Sequence, residues 1–166
     1  MLKPAQLYED ELKKKMISCW HDPKYKYYSG WTGDVVPKLP DNYYDEHNFV
    51  SVDRDNNVIG YISYHVCWST MSASNFGAIS FDLGNPVFGK DLYTAIDNLF
   101  NSYHMNRIQW RVISDNPVIK NYRRFAARHG GVECSHLRRV AKLADGMLHD
   151  AIEFEILAED YNGTSK

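Results

Sequence analysis

Hydrophobic and polar positions alternate through residues 76–83 and again through 107–114, and between them the period changes to that of a helix. In the second run Ile108, Trp110 and Val112 alternate with Gln109 and Arg111, as on a strand. From Leu92 onward the spacing puts Leu92, Ile96, Leu99, Phe100 and Tyr103 on one helical face. Gly84-Asn85-Pro86 breaks the chain between the first strand and this helix. Strand, helix, strand requires a crossover, so the two strands are predicted to be locally parallel. Upstream, 48–53 and 58–68 read as strands joined into a hairpin by Asp55-Asn56-Asn57, with 69–75 as a polar linker. Together with 76–83 they predict an antiparallel meander. Downstream, Pro117 suits the first turn of a second helix, capped by Asp115 or Asn116 and stopped by Gly130-Gly131. Strands over 132–143 and 148–157 then flank the turn Ala144-Asp145-Gly146. The N-terminal stretch 4–18 has helical spacing, with Leu7, Tyr8, Leu12 and Met16 or Ile17 on one side and Pro4 in the first turn. Residues 21–45 are punctuated by Pro and Gly and rich in Tyr, and so read as loop. Such a loop is either functional or a hydrophobic flap over the core.

A chain of 166 residues with this patterning predicts a single domain over 1–166, with 21–45 as a substrate-side region. Twelve Tyr and four Trp suit both a core and a ligand cleft. The net charge of −2 gives no global reason to bind nucleic acid, although 111–142 is locally basic, with only Asp115 and Glu133 as acids. Cys19, Cys67 and Cys134 are scattered and odd in number, which fits a reducing compartment better than a zinc or redox motif. The first residues are too charged for a signal peptide and no apolar run has spanning length, so a cytoplasmic protein without membrane contact is expected.

Three pieces could carry chemistry. The turn leading into the helix at 85–92 would present free N–H groups and a partial positive charge, and Gly89 would let backbone approach a phosphate. An ordinary strand-to-helix turn would look the same. The helix 116–128 carries Tyr122, whose hydroxyl could protonate a leaving thiolate, and Arg123, Arg124 and Arg128, which could meet a phosphate or simply form a solvated face. Asp82, near the end of the third strand, is a candidate general base. The histidines show no metal-ligand spacing, so no metal is expected.

The order of elements, with "AISFDLGNPVFGKDLYTAIDNLF" followed by "RIQWRVISDNPVIKNYRRFAARHGG" and a hairpin, resembles the Gcn5-related N-acetyltransferase (GNAT) superfamily over 49–157. The tail "DGMLHDAIEFEIL" resembles the ribosomal-protein acetylating members. The resemblance implies an α/β (α+β) fold with a mixed, mostly antiparallel sheet, splayed between its fourth and fifth strands. It implies acetyl-CoA as co-substrate and a primary amine, on a small molecule or a protein, as acceptor. The pantetheine arm would bond to the backbone at Phe81–Leu83, and the pyrophosphate would sit by Phe88, Gly89, Lys90, Asp91 and Leu92, with Asn116 and Arg123 nearby. Tyr122 would be the acid and Asp82 the base. The chain departs from the family's cradle motif Q/R-x-x-G-x-G/A, having Pro86 at its first position and Asp91 at its last. Tyr122 falls one residue short of the family's usual tyrosine, a rotation of about 100° on a helix. Two rival readings follow. One is a GNAT-fold CoA-binding or interaction module with weak or no catalysis. The other is nucleic-acid binding through 123–139, which near-neutral net charge and the lack of a docking motif disfavour. A homodimer is one open arrangement.

Overall fold

A computed structural model describes residues 1–20, 22–29, 39 and 44–163. Most of the expected substrate-side loop, 21–45, lies outside the described residues. In chain order the elements are β1 (Leu2–Pro4), α1 (Glu9–Cys19), α2 (Lys26–Ser29), β2 (Glu46–Val52), β3 (Val58–Cys67), β4 (Ser72–Ser80), α3 (Pro86–Asn101), β5 (Arg107–Ile113), α4 (Ile119–Arg128), β6 (Val132–Lys142), β7 (Leu148–Leu157) and α5 (Ala158–Gly163). The strands form one seven-stranded sheet in the order β1-β2-β3-β4-β5-β7-β6, antiparallel at every junction except β4–β5.

The helices cover both faces of the sheet. On one face Leu12 and Met16 of α1 pack on Val50, Val52, Val58, Tyr61 and Ile79. On the other, Ala95, Leu99 and Phe100 of α3 and Ile119 and Ala126 of α4 pack on Ile62, Tyr64, Ile108, Trp110 and Phe154. Each large apolar side chain removed from water in these layers contributes about 1.5–3 kcal/mol. Tyr161 of α5 stacks on Phe100 at 4.4 Å between ring centroids and donates to Asp97, which ties the C-terminal helix to α3. Among the described residues no helix is long and apolar enough to cross a membrane.

Two boundaries differ from the sequence reading. The expected helix 4–18 begins only at Glu9. Pro4 is extended at φ −57°, ψ 130°, and with Leu2 and Lys3 it forms an edge strand against β2, followed by a 3-10 turn over Ala5–Tyr8. An edge strand tolerates the missing proline N–H. The expected linker 69–75 is instead the turn after β3 and the first part of β4, which starts at Ser72 and ends at Ser80.

The second difference has a structural cause. In the β3–β4 ladder Ser63 faces Gly77 and His65 faces Ser74, so Asn75 and Phe76 together stand opposite Tyr64. This is a β-bulge, and Asn75 occupies the left-handed region at φ 53°. The bulge interrupts the alternation, which is why the period of two becomes visible only after it. It also bends the strand. β4 pairs with β5 at Ser72↔Arg107 and Ala73↔Ile108, immediately before the bulge, and among the described residues the pairing stops there.

Asn75→Gly should therefore leave stability nearly unchanged, whereas Asn75→Val, forcing a β-branched residue to positive φ, should cost about 1–2 kcal/mol. Urea unfolding of the two variants measures the difference; equal midpoints would contradict a conformational role for Asn75.

Candidate active site

The gap between β4 and β5 is where the sheet leaves backbone groups free. From residue 74 to 80, β4 pairs with β3 on one side only. From 109 to 113, β5 pairs with β7 on its far side. The two inner edges thus carry N–H and C=O groups that the sheet does not use, and such an edge is a template for an extended ligand bearing amides. Because β4 and β5 meet at their N-terminal ends, the V opens at their C-terminal ends, from which α3 and α4 depart.

Asn85 caps α3, with its side chain accepting from the Val87 N–H at 2.9 Å, and Pro86 opens the first turn. The preceding turn requires Gly84, whose φ is 91°. A Cβ added at Gly89 would meet nothing within 4 Å, so the first turn of α3 faces open space there. Exposed Lys90 adds positive charge beside the helix terminus. Phe88 turns the other way: its ring lies over Gly60 of β3, where an added Cβ would come within 2.2 Å of it. Leu92 is half-buried against the main core. The side chains of Phe88 and Leu92 therefore anchor α3, leaving backbone to face a ligand.

Asp91, the departure in the cradle motif, is directed into the protein. Its carboxylate accepts from the Ser51 hydroxyl at 2.6 Å and from the Met1 amine at 2.7 Å, and the residue is buried. Its charge is compensated at the β1–β2 side and does not face the open helix end. The first turn of α3 consequently fits an anionic group such as a pyrophosphate.

Phe81 and Leu83 lie past the end of β4. Phe81 donates its N–H to Ile59 O at 2.8 Å and packs toward the α1 side, while Leu83 is exposed in the turn. The unpaired β4 edge over 74–80 lies immediately upstream of Phe81–Leu83, because β4 begins earlier than the expected strand 76–83. Asp82 is exposed and its carboxylate accepts from the Asn85 amide at 2.8 Å, an arrangement that closes the turn. Asn116 accepts from the Val118 N–H at 3.1 Å and shapes the entry to α4. Arg123 is paired with Glu133 of β6, and its guanidinium is engaged there.

Tyr122 of α4 is packed edge-on to Trp110 and Phe154, at 6.1 and 6.5 Å between centroids. Among the described residues its hydroxyl has no hydrogen-bond partner. Burial raises its pKa, so the phenol keeps its proton at neutral pH. Beside it, the buried indole Nε1 of Trp110 also lacks a partner. At the same end of the sheet, the Tyr27 hydroxyl donates to Asp115 O at 2.9 Å, docking α2 there, and the His149 ring lies between the carboxylates of Asp115 and Asp145.

No protein-family model matches the chain, and no curated protein matches it. Solved structures do. A spermidine/spermine N-acetyltransferase SpeG from Vibrio cholerae, in complex with manganese ions, is 24% identical over 75% of this chain and 72% of its own, with a TM-score of 0.66. A mutant of the same enzyme is 25% identical over 75% and 73%, with a TM-score of 0.64. A dodecameric structure of the Vibrio cholerae spermidine N-acetyltransferase is 24% identical over 75% and 71%, with a TM-score of 0.66. The fold is that of the Gcn5-related N-acetyltransferases. The mixed, mostly antiparallel sheet with its single parallel junction between β4 and β5 is that expected of the GNAT fold. Among the described residues no group of three His, Cys, Asp or Glu side chains is arranged to hold a metal.

Gly60, Ser51 and Asn75 escaped the sequence reading, and Trp110 entered it only as a strand position. Only Gly60 carried a local signal, as a glycine inside a strand, which marks close approach of another group. The two glycines separate packing from binding. Gly60→Ala should displace the Phe88 ring and cost about 1–3 kcal/mol of stability. Gly89→Val should leave the melting temperature within a few degrees of the parent and weaken CoA binding about tenfold or more, on the order of 1.4 kcal/mol. Thermal unfolding and calorimetric titration with CoA measure both; normal CoA binding by folded Gly89→Val would place the cradle elsewhere.

Proposed function

We propose that the protein is an N-acetyltransferase that moves an acetyl group from acetyl-CoA to a primary amine by direct attack. The observation that carries this reading is the free β4 edge inside a sheet that parts after Ala73, with the first turn of α3 at its open end. Acetyl-CoA would supply the activated acetyl group. The β4 edge would hold the pantetheine amides by backbone bonds, and the turn at 87–90 would hold the pyrophosphate. Backbone N–H groups of β4 would stabilise negative charge as it develops on the acetyl oxygen. As the amine nitrogen bonds to the acetyl carbon and the C–S bond breaks, Tyr122 would give its proton to the departing sulfur. Asp82 is committed to its turn, so water is the better-supported acceptor of the amine proton.

The structural likeness is to enzymes named for spermidine, which favours catalysis over a silent CoA-binding module. It makes a polyamine the first acceptor to test and a protein N-terminus, suggested by the tail resemblance, the second. Assembly into an oligomer larger than a dimer belongs to the same proposal, since one of the similar structures is a dodecamer.

Acetyl-CoA at 100 times its dissociation constant should stabilise the fold by about 2.7 kcal/mol. Thiol release should then depend on the amine added, compared across spermidine, a peptide N-terminus and free lysine. Tyr122→Phe should lower turnover about 10²-fold or more while leaving CoA affinity unchanged. Stabilisation by acetyl-CoA without thiol release on any amine would favour the binding module. Full activity of Tyr122→Phe would leave water as the proton donor.

A further inference from the structure

Tyr27, Asp115, Asp145 and His149 have no part in the proposed acetyl transfer, yet they meet at the C-terminal end of β5, beside the mouth of the cleft. His149 stands on β7 opposite Ala141 of β6, on the face of the sheet away from Ile152 and Phe154. On that face Ile113, Ala141, Leu143 and Ala151 form a small buried cluster, and Tyr27 of α2 packs on it. The Tyr27 hydroxyl donates to the Asp115 carbonyl at 2.9 Å.

Both nitrogens of the His149 ring face carboxylates. Nδ1 lies 3.2 and 3.3 Å from the two Asp115 oxygens, and Nε2 lies 2.9 and 3.2 Å from those of Asp145. The side chain is only 13% exposed. A neutral imidazole has one N–H and one lone pair, so in either tautomer the lone pair would point at a carboxylate. The imidazolium, with two N–H donors, satisfies both. Among the described residues no lysine or arginine forms an ion pair with either carboxylate, and Lys26 of α2 acts on Asp145 only as the weakest of several effects. Asp150, next on β7, points to the other face and pairs with His136 of β6. The Met147 N–H, and after it His149, hold the Asp145 carboxyl below its ordinary range against desolvation, so it is ionised wherever the ring titrates.

We propose that His149 is a positioning residue whose protonation latches the β5–α4 turn, and with it α2, at the mouth of the cleft. The charged ring joins three segments: β7, the β5–α4 turn through Asp115, and the β6–β7 turn through Asp145. Tyr27 ties α2 to the same Asp115. When the ring loses its second proton, one of its two carboxylate bonds becomes a repulsive contact and the turn is released. The latch is therefore complete below the titration of the ring and open above it. Asn116, which shapes the entry to α4, is the next residue, so release loosens the lip of the cleft past which an amine would enter. This consequence for the amine rests on the acetyl-transfer reading; the latch itself does not.

The test is an isotope-edited NMR pH titration of the full chain, in which spectral dispersion reports folding without reference to any activity. Between about pH 5 and 9 the Tyr27 signals should move with the same midpoint as the His149 ring signals. His149→Arg supplies a permanent planar cation able to bridge two carboxylates, and should hold Tyr27 at its low-pH position throughout. His149→Gln should hold it at its high-pH position, and Asp115→Asn should uncouple it from the ring. Tyr27 signals that ignore the ring's titration, or that still titrate as in the parent after His149→Gln, would overturn the proposal. In amine acetylation, His149→Gln should raise the amine KM about fivefold or more at low pH and approach the parent as pH rises, with the acetyl-CoA KM unchanged. Comparing the two proteins at one pH cancels the ionisation of the amine itself. A KM ratio independent of pH would reduce His149 to a structural residue and also overturn the proposal. A parent without acetyl transfer would count against the acetyl-transfer reading, and the NMR titration would still decide the latch.

Discussion

Asn75 and Phe76 stand together opposite Tyr64, and this extra residue turns β4 away from β5 directly after their last shared pair. Without the bulge, two parallel strands joined by a crossover helix would pair along their length and satisfy one another's backbone groups. With it, the middle of a seven-stranded sheet contains a strand edge that is neither at the periphery nor covered by another strand. Free backbone groups are costly when buried and hazardous when exposed. Placed in a cleft between two helix starts, they are free to meet an extended ligand, as the proposed function requires. The positions of α3 and α4 follow from the same feature, because each begins where its strand diverges.

The electrostatics of α3 depend on a second arrangement. An aspartate in the first turns of a helix meant to receive an anion would oppose that anion. Asp91 avoids this by reaching across to Ser51 and the Met1 amine, so that the charge binds β1 and β2 to α3. Phe88, pressed over Gly60, fixes the same helix from the other side. One helix start is thus anchored by a buried carboxylate and a ring, and its backbone and Lys90 are what remain turned toward the cleft.

The periodicities of 3.6 and 2 made α3, α4, β5 and β7 legible within a few residues, because each buries an apolar face, whereas β6, exposed along most of its length, was legible from the turn signals Gly130-Gly131 and Asp145-Gly146 on either side of it. β1 was hidden by its length and by Pro4, which suits a helix start as well as an edge strand. The start of β4 was hidden by the bulge, since two residues facing one partner break the alternation that marks a strand. The start of α3 was readable from Gly84-Asn85-Pro86 in local sequence. The fate of Asp91 was not, because Ser51 is 40 residues away and nothing in the sequence links them. The same holds for Phe88 and Gly60, for Arg123 and Glu133, and for the pairing of Tyr122 with Trp110. Side-chain direction in each case is decided by tertiary contacts that local patterns do not encode.

The central claim is that the unpaired β4 edge is the cofactor-binding surface, and amide hydrogen exchange over residues 74–80 tests it most directly. Amides of this stretch that point toward β5 should exchange quickly in the free protein, and those bonded to β3 slowly. Adding acetyl-CoA should slow the first group strongly while barely changing the second. An unchanged exchange pattern along β4 in the presence of saturating acetyl-CoA would contradict the account.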